Sequence, residues 1–546
     1  MRRTVRRLPT GRTTPARTRR RRSSSSRTSW RTRRSTRPRR CSRSWSSCAT
    51  PATPRSSTTT CSRARRADGS VSTGRRVRPS TSDPAVSYWL GSIDGPIAGV
   101  HEGLAGKVEA DVAIIGGGYT GLWTAQHLLD SDPSLRIVVC ERDVVGYGAS
   151  GRNGGFLDPS LTHGLANGLR HYPDEIDELE QLAAASYAGL RAFVQRYDLR
   201  CDFEPTGMLD LAVAPWQVDA LREEAELHER FGHKVELLDR GAARAQLDSP
   251  LVLGALHRPG AGGVLHPAKL ARELARVAVA RGAAVHERSA VTRVSRRGSG
   301  VRLEVAGGAV HASQAVLATN AYSGGVLGRT RRHYVPVYDY VLVTEPLDDD
   351  QLARIGWSGR QGLGDCSNQF HYFRLIREEG GGARNRILWG GYDAIYYYGN
   401  GVGPQFDDRQ QTYALLEAHF RRMFPQLADV AFTHRWGGAI ATTTRFTPVF
   451  GQALGGRLLY ALGYTGLGVG ASRFAGRVLA DRIVAPDSPL LRLRYTTSAP
   501  SPFPPEPLRW AGVTLVRRAL ARSDRTGGRR GPLLRVLDAI GIGFDS

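Results

Sequence analysis

The sequence is short of lysine, of cysteine and, over its first eighty residues, of acid. Only three of its 76 basic side chains are lysines: Lys107, Lys234 and Lys269. So extreme an arginine bias along a whole chain follows genome composition and does not mark sites. The six cysteines are Cys41, Cys48, Cys61, Cys140, Cys201 and Cys366, with no C-x-x-C among them. That excludes a disulfide framework and gives no metal-ligand spacing, so no metal is expected and the compartment is expected to be reducing and cytoplasmic. No stretch reaches the ~18 consecutive apolar residues of a membrane-spanning helix. The start, Met1-Arg2-Arg3, is followed by no apolar core of a secretory signal. Acid is almost missing early on: residues 1–80 hold 25 Arg and one carboxylate, Asp68, a net of +24. The other 466 residues hold 51 basic and 49 acidic side chains. The formal charge of +26 therefore belongs to the tail, and no nucleic-acid partner is expected for the body.

Arg, Ser/Thr and Pro fill 61 of the first 80 positions. Such a composition buries too little apolar surface to offset chain entropy, so residues 1–84 are expected to be a disordered tail. A nucleic-acid-binding arm and a targeting extension both fit the composition. The reading we favour is an upstream region translated from a start placed too early, with the evolved chain beginning near Val71 or Val77.

The body is long enough for two to four lobes at about 100–200 residues each. Asp111–Ile115 is a short apolar run ending in glycines and reads as a buried parallel strand. A helix over 122–129 and a strand over 137–140 complete a βαβ unit. Helices are expected over 172–197, 216–231, 269–281 and 471–483, and a buried strand over 458–462. Strand-like alternation dominates 334–398.

Gly116, Gly118 and Gly121 form G-x-G-x-x-G. The motif follows a strand, opens a helix and has Glu141 at the end of the next strand, the arrangement of a dinucleotide-binding unit. The first glycine permits a tight turn, the second lets backbone approach a pyrophosphate, and the third lets helix and strand pack closely. The helix start offers free N–H groups to phosphate, and the Glu141 carboxylate accepts from ribose hydroxyls. The fingerprint alone leaves NAD and FAD open. A second glycine-rich loop, Gly146–Gly155, follows at once with Ser150, Arg152 and Asn153, and suits a longer cofactor. A third, Gly463–Gly470, opens the last helix of the body, whose N-terminus would favour the anionic charge of a reduced flavin.

These segments, with Ser87-Tyr-Trp-Leu90, Ala318-Thr-Asn-Ala-Tyr322 and Trp436-Gly-Gly438, resemble the FAD-dependent oxidoreductases of the D-amino-acid oxidase superfamily, in particular the gamma-glutamylputrescine oxidoreductase-like branch. The resemblance runs from about residue 85 to the C-terminus. It implies an α/β fold: a Rossmann-type, glutathione-reductase-like FAD-binding domain interleaved with an antiparallel-sheet substrate domain. The expected FAD-binding stretches are 85–165, 261–330 and 431–490. The substrate domain takes 166–260 and 331–430, and 491–546 is a C-terminal extension. The implied cofactor contacts are Gly116, Gly118, Tyr119, Thr120 and Gly121 at the pyrophosphate, and Glu141 and Arg142 at the ribose. Gly148, Ala149, Ser150, Arg152, Asn153, Gly154 and Gly155 approach pyrophosphate and flavin, and Val291 the adenine. Gly438, Gly463, Gly466, Leu467, Gly468 and Val469 lie by the ring. The implied reaction takes two electrons from an amine C–H, giving an imine that water hydrolyses, with oxygen or another acceptor reoxidising the flavin.

Two departures follow from the same resemblance. Sarcosine-oxidising relatives carry a lysine near the flavin that promotes reaction with oxygen. The matching position here, judged by Gly390-Gly-Tyr-Asp393, is Trp389, which leaves a dehydrogenase with another acceptor open. Those relatives also attach their flavin through a cysteine near 436–447, where this chain has none, so FAD is expected to be non-covalent. On the substrate side, residues 334–398 hold 12 aromatics in 65. Tyr338, Tyr340, Phe370, Tyr372, Trp389 and Tyr392 could form an aromatic cage for an amine, or serve only as favourable strand residues. Tyr340, His371, Trp389 and Asp393 are the candidate catalytic residues, Asp393 for a cationic nitrogen. Arg374, Arg435 and Arg445 are candidates for a substrate carboxylate. The segment 510–520 is apolar at helical spacing. It would lie on an anionic membrane or, as we expect, dock on the body.

Overall fold

The computed structural model describes residues 86–93, 100–357, 359–377 and 385–539. The expected tail 1–84, with its proposed start near Val71 or Val77, lies outside the described residues. The strand Gly106–Ile115 lies at the centre of the first sheet because its C-terminal half is apolar on both faces, and Val112, Ala113, Ile114 and Ile115 are all buried. It pairs in parallel with Ile137–Cys140 on one side and Gly308–Leu317 on the other. Ala284–His286 extends one edge in parallel, and Leu458–Leu462 the other. Val449–Ala453 closes that second edge antiparallel, and the hairpin Val291–Arg297 and Gly300–Val305 pairs with Gly308–Leu317. This is a Rossmann-type α/β layer. The helix Tyr119–Ser131 crosses between its first two strands and is buried from Tyr119 to Leu129, each large apolar side chain such as Leu122 or Trp123 contributing about 1.5–3 kcal/mol. The helix Gly468–Val484 lies against it so closely that a Cβ at Gly476 would stand 2.8 Å from the backbone of Trp123 and Thr124.

A second sheet of eight strands follows the order Phe432–Thr442, Val335–Thr344, Asn385–Tyr396, His371–Arg377, Gly362–Asp365, Met208–Ala212, Gly254–Arg258 and Glu236–Leu238. All its pairings are antiparallel except Gly362–Asp365 with Met208–Ala212. One face carries an aromatic core. There Phe373, Trp389, Phe420 and Phe424 pack with ring centroids 4.9–6.1 Å apart, the last two supplied by the helix Gln410–Met423 and the turn after it. The opposite face turns toward the glycine-rich loops. The strand Asn385–Tyr396 is irregular: its register with Val335–Thr344 shifts opposite Tyr338–Tyr340. Gly391, Tyr392 and Asp393 there have φ of 103°, 52° and 58°, a bulge that re-aims the side chains beyond it.

The expected elements over 122–129, 172–197, 216–231, 269–281 and 471–483 are the helices Tyr119–Ser131, Ile176–Arg196, Pro215–Arg230, Pro267–Ala280 and Gly468–Val484. The strand Phe432–Thr442 belongs to the second sheet, so the stretch 431–490 feeds both sheets. The apolar segment 510–520 lies within a helix, Leu508–Arg525, which docks on the body. Arg517 pairs with Asp393, and Asp524 accepts from the Asn368 and Gln369 backbone N–H groups at 2.9 and 3.1 Å. Among the described residues, no helix is long and apolar enough to cross a membrane.

Candidate functional site

A cavity of about 1620 Å³ runs between the two sheets. Ordinary small-molecule pockets hold roughly 300–1,000 Å³, so this one has room for a dinucleotide and a substrate together. One end is built on the first sheet. Gly116, with φ 109°, turns the chain out of its strand, and the helix Tyr119–Ser131 then starts with no side-chain cap. Its start forms the wall with Gly116, Gly118, Tyr119 and Thr120, where an anion is stabilised by the helix dipole and by those N–H groups of the first turn that have no partner in the chain. Glu141, at the end of the next strand, lines the same wall. One oxygen accepts from the Gly117 N–H at 2.7 Å and the other from the Asp143 N–H at 3.0 Å. A carboxylate has lone pairs left beyond two such bonds, so Glu141 both ties the loop down and can take a ribose hydroxyl.

The second glycine loop folds over this end. Ser150 Oγ accepts from the Tyr119 N–H at 3.0 Å, and the Thr120 and Tyr464 hydroxyls, 2.8 Å apart, join the fingerprint helix to the third glycine loop. Gly466, Leu467, Gly468 and Val469 line the cavity at the start of the helix Gly468–Val484, again without a side-chain cap. Arg142, Gly148, Ala149, Ser150, Arg152, Asn153, Gly154, Val291 and Gly438 line it too. Gly121, Gly155 and Gly463, also in the expected set, are not in the cavity wall. Gly121 serves packing: a Cβ there would meet the Gly116 carbonyl oxygen at 2.1 Å. Gly155 is pressed on the Leu265 carbonyl, and the Gly463 N–H donates to Asn320 Oδ1 at 2.9 Å. Two uncapped helix starts, three glycine loops and a ribose-ready carboxylate in one oversized cavity fit an extended dinucleotide.

This arrangement defines a dinucleotide-dependent oxidoreductase, and comparison with known proteins agrees. Residues 111–482 match the family described as FAD dependent oxidoreductase (DAO), and the chain belongs to it. Its cofactor is FAD. The chain is 34% identical over 380 residues to the gamma-glutamylputrescine oxidoreductase of Escherichia coli (strain K12), covering 69% of this chain and 84% of that protein. It is 29% identical over 396 residues to a probable oxidoreductase OrdL of Haemophilus influenzae, covering 70% of this chain and 84% of that one. In fold it is similar to glycine oxidase from Geobacillus kaustophilus, with a TM-score of 0.59, 21% identity, and 72% and 99% of the two chains covered.

The candidate catalytic residues divide on the two faces of the second sheet. Tyr340, His371 and Trp389 are not in the cavity wall. Tyr340 is buried with its hydroxyl 2.8 Å from the Tyr397 hydroxyl and the Phe406 carbonyl. His371 sits 2.6 Å from Asp365 and 3.0 Å from His419, stacked on Trp389. Trp389 is 1% exposed, inside the aromatic core. Side chains alternate along a strand, and these three fall on the core face. Asp393 does line the cavity, but Arg517 already pairs with it and Thr412 donates to it at 3.1 Å. Both of its carboxylate oxygens are therefore already engaged by the chain's own side chains. Of the cage candidates, Phe370, Tyr372 and Tyr392 reach the cavity, and Tyr338, Tyr340 and Trp389 do not.

The three carboxylate-binding candidates are also elsewhere. Arg374 braces the Gly155 and Leu265 carbonyls at 3.1 and 2.7 Å, Arg435 lies over Tyr413, and Arg445 donates to Ser498. Residues outside the expected set take these places in the wall. Asp339 lines it with Val337 and Val341, on the strand face opposite Tyr338 and Tyr340. Its Oδ1 accepts from the Tyr340 and Gly391 N–H groups at 2.8 and 3.2 Å, and its Oδ2 from the Tyr372 hydroxyl. Burial pushes this carboxyl up to about 6 against those three bonds. Arg152, already in the expected cofactor set, is held in the wall by the buried carboxylate of Asp407 at 3.1 Å. The helix Leu508–Arg525 adds Gly512, Val513, Val516 and Leu520 as a roof. The sequence signal that could have found Asp339 was an acid amid strand aromatics, in the cavity-facing parity.

Proposed function

We propose that the protein is an FAD-dependent oxidoreductase that oxidises a C–N bond of an amine or amino acid, in the manner named for its gamma-glutamylputrescine-oxidising relative. The observation that carries this reading is a single cavity running from the fingerprint helix to a wall of Tyr372, Tyr392 and Asp339. Bound FAD supplies the two-electron chemistry, taking a hydride from the carbon beside the amine nitrogen. The chain's own residues bind and orient. Gly116 to Thr120 and Glu141 hold the nucleotide half. Ser150, Arg152, Asn153 and Gly154 bring the flavin toward the second sheet, with no covalent link. The aromatic wall holds the amine with its C–H toward the flavin, within a chamber whose roof keeps out bulk water. The amine reacts in its neutral form, becomes an imine, and hydrolyses to an aldehyde or keto acid.

The final acceptor is oxygen or another oxidant. No lysine stands on the strands Val335–Thr344, His371–Arg377 or Asn385–Tyr396 that face the glycine loop, which favours a second reading, a dehydrogenase. The test is a panel of amines and amino acids added anaerobically to the FAD-loaded enzyme, followed by air. Bleaching of the flavin bands by an amine supports the reading, and bleaching by none of them refutes it. Rapid recolouring in air with one peroxide released per flavin identifies an oxidase, while a flavin that stays bleached in air and recolours when a quinone or dye acceptor is added identifies a dehydrogenase.

A further inference from the structure

The reaction requires a neutral amine, yet an alkylamine is an ammonium ion at neutral pH. A group beside the flavin end of the cavity that takes this proton lets the abundant ammonium form react. Tyr372 lies between the second glycine loop and the neighbouring strand. A Cβ built on Gly154 would stand 2.6 Å from its ring, and one on Gly390 2.6 Å from its hydroxyl. Its hydroxyl donates to Asp339, and both residues line the cavity. The carboxyl has glycines as neighbours on both flanking strands, Gly438 across one pairing and Gly391 near the other, and among the described residues Tyr372 is the side chain that hydrogen-bonds to it. We propose that Tyr372 and Asp339 are the proton acceptor of the amine, a role that rests on the amine reading above. The substrate ammonium gives one proton to Tyr372 Oη as the Tyr372 hydroxyl proton passes to Asp339 Oδ2. The nitrogen is left with its lone pair, Tyr372 is unchanged and Asp339 is neutral. The proton leaves to water after product release.

The charged and titratable groups around Asp339 are few. Tyr372 and His371 come from the strand His371–Arg377, one strand away across Asn385–Tyr396, and Tyr340 from its own. The strands Asn385–Tyr396 and Phe432–Thr442 offer glycine there, and Arg152 packs beyond Gly438 on its own partner Asp407. Burial holds the Tyr372 phenol well above its ordinary value, so it keeps its proton between turnovers. With the Asp339 carboxyl at about 6, the acceptor is available above that pH and lost below it.

The test uses the FAD-loaded enzyme and its Asp339→Asn and Tyr372→Phe variants, each checked for unchanged FAD content. Two readouts are taken: flavin absorbance against pH without substrate, and the anaerobic bleaching rate against pH for the fastest amine of the panel. The wild type is expected to show a spectral midpoint and an acid limb near 6, both missing from Asp339→Asn. At neutral pH the Asp339→Asn rate falls by about 10²–10⁴. It recovers about tenfold per pH unit as free amine accumulates in solution, a rescue no merely structural defect would give. Tyr372→Phe shows the same alkaline rescue. If the Asp339→Asn rate and acid limb match those of the wild type, this role is overturned while the amine reading stands. If no amine bleaches even the wild type, the amine reading fails and this role falls with it.

Discussion

Replacing Gly121 by alanine isolates the link between helix packing and cofactor binding. The added Cβ would stand 2.1 Å from the Gly116 carbonyl oxygen and 3.0 Å from Ile114 Cγ2. The first distance is 1.3 Å short of ordinary contact, which begins at 3.4 Å. Its partner is backbone, so no rotamer change relieves the overlap. The helix Tyr119–Ser131 must move off the strand Gly106–Ile115, and its other side is already closed by the helix Gly468–Val484. Overpacking of this kind costs about 1–3 kcal/mol. Moving the helix start also moves the N–H groups of the cofactor wall. A ligand present at a hundredfold excess over its dissociation constant stabilises by about 2.7 kcal/mol, and most of that is expected to vanish. The assay pairs flavin absorbance per protein with thermal unfolding, with and without added FAD. Gly121→Ala should lose most of its flavin, melt a few degrees lower without FAD, and show little further rise when FAD is added. Gly328→Ala, where a Cβ meets nothing within 4 Å, should match the wild type. Full flavin content and a full FAD-induced rise in Gly121→Ala would refute the argument that the helix start holds the cofactor.

Acid precipitation is expected to release all of the flavin into the supernatant, and flavin remaining in the pellet would overturn the non-covalent reading. Burial holds the Asp407 carboxyl at about 6 against the pull of Arg152, above its ordinary value of 3.8. Folding therefore takes up a proton between those values, and this group's contribution to stability falls as pH rises through that window. Chemical denaturation of Asp407→Asn at pH 4.5 and 6.5 should show a flatter dependence than the wild type. Ending the chain after Ser501 removes Val513, Val516 and Leu520 from the cavity roof, so iodide should quench the bound flavin severalfold more strongly. Glycine in place of Tyr392 should be more stable than alanine there by about 1 kcal/mol in urea unfolding, the reverse of the usual order, because that residue sits at φ 52° where a Cβ is strained.

The nucleotide half of the site is legible in the sequence because its chemistry is local. A strand, three glycines at fixed spacing, a helix and an acid at the next strand end lie within about 30 residues, and each contact follows from neighbours along the chain. The substrate half depends on which face of a strand each residue takes, and a shift of one residue exchanges the faces. In Val337-Tyr-Asp-Tyr-Val341 the aromatics drew attention, yet parity puts Val337, Asp339 and Val341 on the cavity and Tyr338 and Tyr340 in the core. His371 and Trp389 follow Tyr340 into that core because their strands pair in register, His371 opposite Gly391 and Phe373 opposite Trp389. Past the left-handed residues at 391–393 the parity breaks, and Tyr392, Asp393 and Ala394 all reach the cavity. No count of aromatics finds that bulge. The roof was hidden for another reason: the apolar face of Leu508–Arg525 has the same spacing whether it meets a membrane, a core or a substrate chamber. What separates these is Asp393, a residue more than a hundred positions away, whose pairing with Arg517 sets that face against the cavity. The same pairing that brings the roof to the chamber occupies Asp393, whereas Asp339, on the wall beside Tyr372, has among the described residues only backbone N–H groups and the Tyr372 hydroxyl as hydrogen-bond partners.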